Sequence, residues 1–171
     1  MIGNDGRCKQ MDVFKFALDF EREHKKFYQK LARESENEYL KNIFNYLAEE
    51  EAKHEKVVKQ LSKEEKLEDI ESDILPRAKK VFEKISATIT NENIPVEQVD
   101  VYKKAREMET ESYEFYQARA EETGLPFMKH VFASLAKEEK KHETIMSNLV
   151  EFVNRPNTWL DDAEWYHMEE Y

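Results

Sequence analysis

Glycine and proline are scarce, with three and four in 171 residues, which points to long helices joined by few turns. Cysteine is nearly absent. The single Cys8 cannot close an internal disulfide, and it excludes cysteine-based zinc or iron sites within this sequence; a reducing cytoplasm fits best. No run of about 18 apolar residues occurs, and residues 1–11 lack the apolar core of a secretion signal. Basic excess is lacking too: 27 Lys and Arg against 37 Asp and Glu give a net charge of −10. That balance argues against a nucleic-acid backbone or an anionic membrane as partner. A soluble single domain, with enough chain to bury a core without staples, is expected.

What is present is charge, 37% of residues, arranged around apolar positions at helical spacing. Residues 1–10 are polar, hold two of the glycines and read as a disordered lead-in. Phe14, Ala17, Leu18, Phe27, Tyr28 and Leu31 place a helix over about 11–33, and its inward stripe (14, 17, 21, 24, 28, 31) runs through Glu21 and His24. Ser35-Glu36-Asn37-Glu38 matches a capping box. It opens a second helix over about 37–62, with Leu40, Phe44, Leu47, Glu51, His54, Val58 and Leu61 inward. Residues 63–95 read as a crossover: a charged run over 63–73 expected on the solvated surface, then a short amphipathic helix through Val81, Phe82, Ile85 and Ile89. A helix over about 96–122 aligns Tyr102, Ala105, Glu109, Ser112 and Tyr116. Gly124 suits its C-cap and Pro126 the first turn of the last helix. That helix, to about 153, carries Met128, Phe132, Leu135, Glu139, His142, Met146, Leu149 and Val153 inward; its charged run over 137–141 is read as solvated. The bundle thus occupies 1–153. The tail 154–171, with Trp159, Trp165, Tyr166 and Tyr171, is expected to pack on the bundle or on a partner subunit.

An offset of 88 residues (105 minus 17) lays Ala17, Glu21, Phe27 and Tyr28 on Ala105, Glu109, Phe115 and Tyr116. The same offset lays Phe44, Leu47, Ala48, Glu51 and His54 on Phe132, Leu135, Ala136, Glu139 and His142. The chain is therefore two copies of one helical hairpin. Glu21 and Glu51 each lie 15 residues from Glu36 (36 minus 21, 51 minus 36), and Glu109 and Glu139 each lie 15 from Gly124. Each pair then shares a height on antiparallel helices, roughly 22 Å from its turn. If the crossover puts the two turns at opposite ends, both pairs meet midway along a bundle roughly 45 Å long. Four carboxylates in an apolar interior would repel one another and lose hydration. Two divalent cations balance their charge of −4, with His54 and His142 as neutral ligands. Oxygen and nitrogen donors without thiolate suit iron or manganese better than structural zinc. Glu51 and Glu139 are the candidates for bridging both ions, and Glu21 and Glu109 for terminal ligands.

Glutamate on two helices with Glu-x-x-His on the other two is the arrangement of ferritin-like di-metal carboxylate bundles. More narrowly, Ala-x-x-x-Glu-x-x-x-x-x-Phe-Tyr at 17–28 and 105–116, with Phe-x-x-Leu-Ala-x-Glu-Glu-x-x-His at 44–54 and 132–142, resembles the rubrerythrin family over about 11–153. The resemblance implies an all-α, ferritin-like four-helix bundle. It also implies two iron ions, with manganese or a mixed pair as alternatives, and reduction of hydrogen peroxide or dioxygen between them. Tyr28 and Tyr116 would then hydrogen-bond ligand carboxylates from outside the metal shell. A homodimer is expected. Two departures stand out. The family typically carries a further glutamate three residues after the third-helix ligand, where this sequence has Ser112. A rubredoxin domain, whose iron needs several cysteines, is missing, so a separate electron-donor protein is expected. His24, three residues after Glu21 and without a histidine counterpart in the repeat, is either a substitute ligand or a core histidine bonded to a carboxylate. The alternative function for the same ligands is iron binding or ferroxidase activity without a dedicated peroxidase cycle. A third reading makes the bundle an interaction module acting through the aromatic tail.

Overall fold

The computed structural model describes residues 4–88 and 98–154, with side chains for residues 12–87 and 98–154. The expected helix stop at 90–95 and the aromatic tail lie outside the described residues. Among those described, the chain forms five helices and no strand: α1 (Asn4–Glu34), α2 (Glu38–Ser62), α3 (Ile74–Thr88), α4 (Val99–Glu122) and α5 (Pro126–Asn154). All six inward positions of the first stripe are buried, Glu21 and His24 included.

The helix ends differ from expectation in ways that local hydrogen bonding explains. The first helix begins at Asn4 and takes in most of the expected lead-in. No proline interrupts that stretch, and extending a formed helix costs little per residue. The N-cap of α2 is Asn37, not Ser35: the Asn37 side-chain oxygen accepts from the N–H groups of Tyr39 at 2.9 Å and Leu40 at 3.2 Å. The Ser35 hydroxyl instead donates to the Asn37 carbonyl at 3.2 Å. Gly124 is not the cap of α4. Thr123 fills that place in an extended conformation (φ −74, ψ 130), its N–H donating to the Arg119 carbonyl. Pro126 does open α5. The left-handed residue after α2 is Glu64, at φ 57, a conformation usually left to glycine.

The turns at 35–37 and 123–125 fold α1 on α2 and α4 on α5, and α3 lies against α2 and α5. Two apolar clusters result. One joins the α1–α2 turn end (Leu31, Ala32, Leu40) to the start of α4 (Val99, Tyr102) and the end of α5 (Leu149, Val153). The other joins the start of α1 (Phe14, Ala17) and the end of α2 (Val58, Leu61) to the α4–α5 turn end (Ala120, Val131). The two turns therefore sit at opposite ends, and the glutamates fall in the layer between the clusters.

The crossover is held by buried charge. Ser72 donates its hydroxyl to Glu138, while Lys141 bonds Glu138 at 2.6 Å and the Ser72 carbonyl at 3.1 Å. Glu138 and Lys141 are buried, so the run 137–141 is not the solvated face its composition suggests. On the other side Arg77 lies 3.8 Å from Glu50, 3.3 Å from Glu49 and 3.9 Å over the Tyr46 ring. Glu50 and Glu138 are themselves related by the repeat (138 minus 50 is 88).

Because the Asn37 side chain satisfies two otherwise unpaired N–H groups, Asn37→Ala is expected to destabilise the fold by about 1 kcal/mol. Ser35→Ala should cost less. Urea unfolding of both variants checks the assignment, which the reverse ranking would contradict.

Candidate metal centre

Four helices each deliver residues to one layer. α1 supplies Glu21 and His24, α2 supplies Glu51 and His54, α4 supplies Glu109, and α5 supplies Glu139 and His142. All seven are at most 3% exposed. The spacing of three within Glu51–His54 and Glu139–His142 puts each pair on one helix face, and the helices turn those faces inward.

The imidazoles of His54 and His142 stack at 5.2 Å with an interplanar angle of 13°. His54 Nδ1 lies 2.7 Å from Glu139 Oε1, 3.7 Å from Glu21 Oε2 and 3.8 Å from Glu51 Oε2. His142 Nδ1 lies 3.0 Å from Glu51 Oε1, 3.7 Å from Glu109 Oε2 and 3.9 Å from Glu139 Oε2. Glu51 and Glu139 thus turn one oxygen to each imidazole. Glu21 faces only His54, and among these two rings Glu109 faces only His142. Tyr28 donates its hydroxyl to Glu109, and Tyr116 donates to Glu21. Each tyrosine therefore bonds the glutamate of the opposite hairpin, and it bonds Oε1, leaving Oε2 toward the imidazole.

Many of these polar atoms have no hydrogen-bond partner: Glu21 Oε2, Glu51 Oε2, Glu109 Oε2, both Glu139 oxygens, and Nδ1 of His24 and His54. His54 Nδ1 and Glu139 Oε1 approach to 2.7 Å without the alignment of a hydrogen bond. Orphaned buried polar atoms cost on the order of 1–3 kcal/mol each, and native interiors rarely keep so many. Divalent cations would satisfy them together. Ligand atoms of Glu51, His54, Glu139 and His142 lie within 4.8 Å of one another, as do those of His24, Glu51, Glu109 and Glu139. The donor set of carboxylate oxygen and imidazole nitrogen fits iron or manganese.

Electrostatics carry the same conflict. Burial, reinforced by the neighbouring carboxylates, pushes Glu51 and Glu139 well above the usual range. Burial opposes charge on His142 as well, yet Glu109 and Glu139 outweigh it and raise its pKa to about 9. Burial also works against an ionised Glu109, but His142 and His24 hold it down to about 2. His24 and His54 are lowered by burial, against the pull of Glu109 and Glu21 respectively. Burial, with the adjacent carboxylate, lifts Tyr28 and Tyr116 well above 10, so both stay hydroxyl donors.

Three contributors are not apparent from the stripes. Phe20 packs its ring 4.5 Å from that of His24. Glu50 and Glu138 form a second pair of buried carboxylates beside the bridging candidates, directed at the crossover. The 88-residue offset relates the last two and was the available signal.

Without metal, the folded chain keeps Glu51, Glu139 and His142 protonated at pH values where the unfolded chain does not. Groups whose folded pKa is raised lose their stabilising contribution as pH climbs through that value. The metal-free protein is therefore expected to unfold at progressively lower temperature from pH 6.5 to about 9. Metal loading should flatten this limb and release protons on binding. Thermal unfolding across that range, with and without a divalent cation, checks it; a flat metal-free profile would contradict it.

No curated protein and no solved structure matches the chain. A family profile does: the one described as Rubrerythrin matches residues 12–150, a span that takes in α2 and α4 whole, most of α1 and α5, both Glu-x-x-His motifs and every residue of the buried layer. With the duplicated hairpins and the crossed tyrosine bonds beside it, that match places the chain in the rubrerythrin family.

Proposed function

We propose that this chain is a non-haem di-iron oxidoreductase that reduces hydrogen peroxide or dioxygen. The observation that carries the reading is the division of Glu51 and Glu139, each with one oxygen toward His54 and the other toward His142. Glu51 and Glu139 would therefore be the residues to hold both of two bound cations. Glu21 and His54 would complete one ion's ligands, and Glu109 and His142 the other's. Bound iron would supply Lewis acidity and the two electrons needed to take one peroxide, with two protons, to two waters.

The chain's own residues prepare that chemistry. Tyr28 and Tyr116 fix the orientation of Glu109 and Glu21 through their hydroxyls, and the apolar clusters on either side keep bulk water from the layer. Electrons would return from a donor centre outside the bundle, since the donors in its buried layer are all carboxylate or imidazole. Ser112 favours a second reading. It is fully buried where the family typically has glutamate, and a centre without that carboxylate suits iron oxidation or storage without a fed cycle.

Anaerobic reconstitution with ferrous iron is expected to load two ions per chain, and peroxide should then oxidise the reduced protein with sustained turnover when an artificial reductant is added. Fewer than about one ion per chain would overturn the metal reading. A single oxidation without turnover would favour the iron-handling one. Tyr28→Phe and Tyr116→Phe should each weaken metal binding by about 10–100-fold, as read by competition with a chelator. Unchanged affinity would reduce the tyrosines to packing.

A further inference from the structure

The repeat that builds the centre is broken at one buried position. His24 follows Glu21 by three residues, and the offset of 88 makes Ser112 its counterpart, three residues after Glu109. Both side chains are buried, at 3% and 0% exposure. Neither His24 Nδ1 nor the Ser112 hydroxyl makes a hydrogen bond. The other titratable side chains of the layer are paired across the repeat, glutamate with glutamate, histidine with histidine and tyrosine with tyrosine.

Where His24 points decides its role. It reaches across from α1 to the opposite hairpin, with Nδ1 3.9 Å from Glu109 Oε2, the oxygen that also faces His142 at 3.7 Å. Its ring lies 4.5 Å from that of Phe20, which limits its freedom to turn away. A histidine kept in a core only for packing would be expected to bond the nearest carboxylate. At 3.9 Å this one does not, while its ligand atom lies within 4.8 Å of those of Glu51, Glu109 and Glu139. The hydroxyl of Ser112 offers only a neutral oxygen on a short side chain.

Building on the two-ion reading above, we propose that His24 is a direct ligand of the ion held by Glu109, making the two metal positions chemically unlike. The Glu109 position takes two imidazoles, His24 and His142. The Glu21 position takes one, His54, and keeps the Ser112 side without a strong donor. Borderline divalent metals favour the nitrogen-richer site, so the Glu109 position would fill first. The duplicated fold would thus hold a differentiated pair of positions.

Cobalt(II) substitution tests this in the full chain. Proton NMR of the di-cobalt protein in water should show three exchangeable, paramagnetically shifted imidazole N–H signals, and His24→Ser, which makes the halves alike, should show two. Calorimetric titration should find two unequal sites in the wild type. In His24→Ser the tighter site should weaken by at least about tenfold, the scale of losing even an outer-layer partner, with the stoichiometry still two. Two signals in both proteins, with the tighter site unchanged, would overturn the role of His24 while leaving the two-ion centre intact. If the wild type binds fewer than two cobalt ions, the centre itself fails and this inference with it. The wild-type signal count decides the matter even if the variant does not fold.

Discussion

Four glutamate carboxylates held in one water-poor layer are the constraint to which the rest of this structure answers. At an effective dielectric near 20, two like charges about 4 Å apart repel by roughly 4 kcal/mol, and burial removes the hydration that would offset it. Protonation relieves part of the conflict, as the upward displacement of Glu51 and Glu139 shows. It leaves the orphaned oxygens and imidazole nitrogens unsatisfied. Cations of total charge +4 would resolve charge and coordination together, which is why the layer reads as a binding site rather than a polar core.

The surrounding fold keeps those groups from escaping. Each hairpin holds its own glutamates at one height, and the tyrosines tie hairpin to hairpin, Tyr28 to Glu109 and Tyr116 to Glu21. Burial and the adjacent carboxylate both favour the phenol form, so these bonds do not reverse over ordinary pH. Outside the layer, Glu138 with Lys141 and Glu50 with Arg77 fasten the crossover to α5 and α2. That fastening helps to keep the two turns at opposite ends, the condition under which the four carboxylates meet.

Much of this was legible in the sequence because the repeat converts a common local pattern into a geometric one. A lone Glu-x-x-His says little, but equal distances from two turns predict that four glutamates converge, and they do. The side of Glu51 and Glu139 that faces each imidazole, and the crossing of the tyrosines, needed coordinates, since spacing along a helix says nothing about which neighbour a side chain reaches. The helix ends depart from the sequence expectation where several residues compete for one role. Ser35 and Asn37 both have capping side chains, and backbone direction selects Asn37. Gly124 suggested a left-handed cap that an extended Thr123 makes unnecessary. The run 137–141 looked solvated because the crossover that buries Glu138 and Lys141 is distant in sequence.

The most direct measurement is element-specific anomalous diffraction from crystals of the protein isolated without added metal. Two peaks are expected in the layer, both flanked by Glu51 and Glu139, one beside Glu21 and His54 and the other beside Glu109 and His142. A layer without anomalous scattering, its carboxylates and imidazoles closed into direct hydrogen bonds even after exposure to ferrous iron, would contradict it.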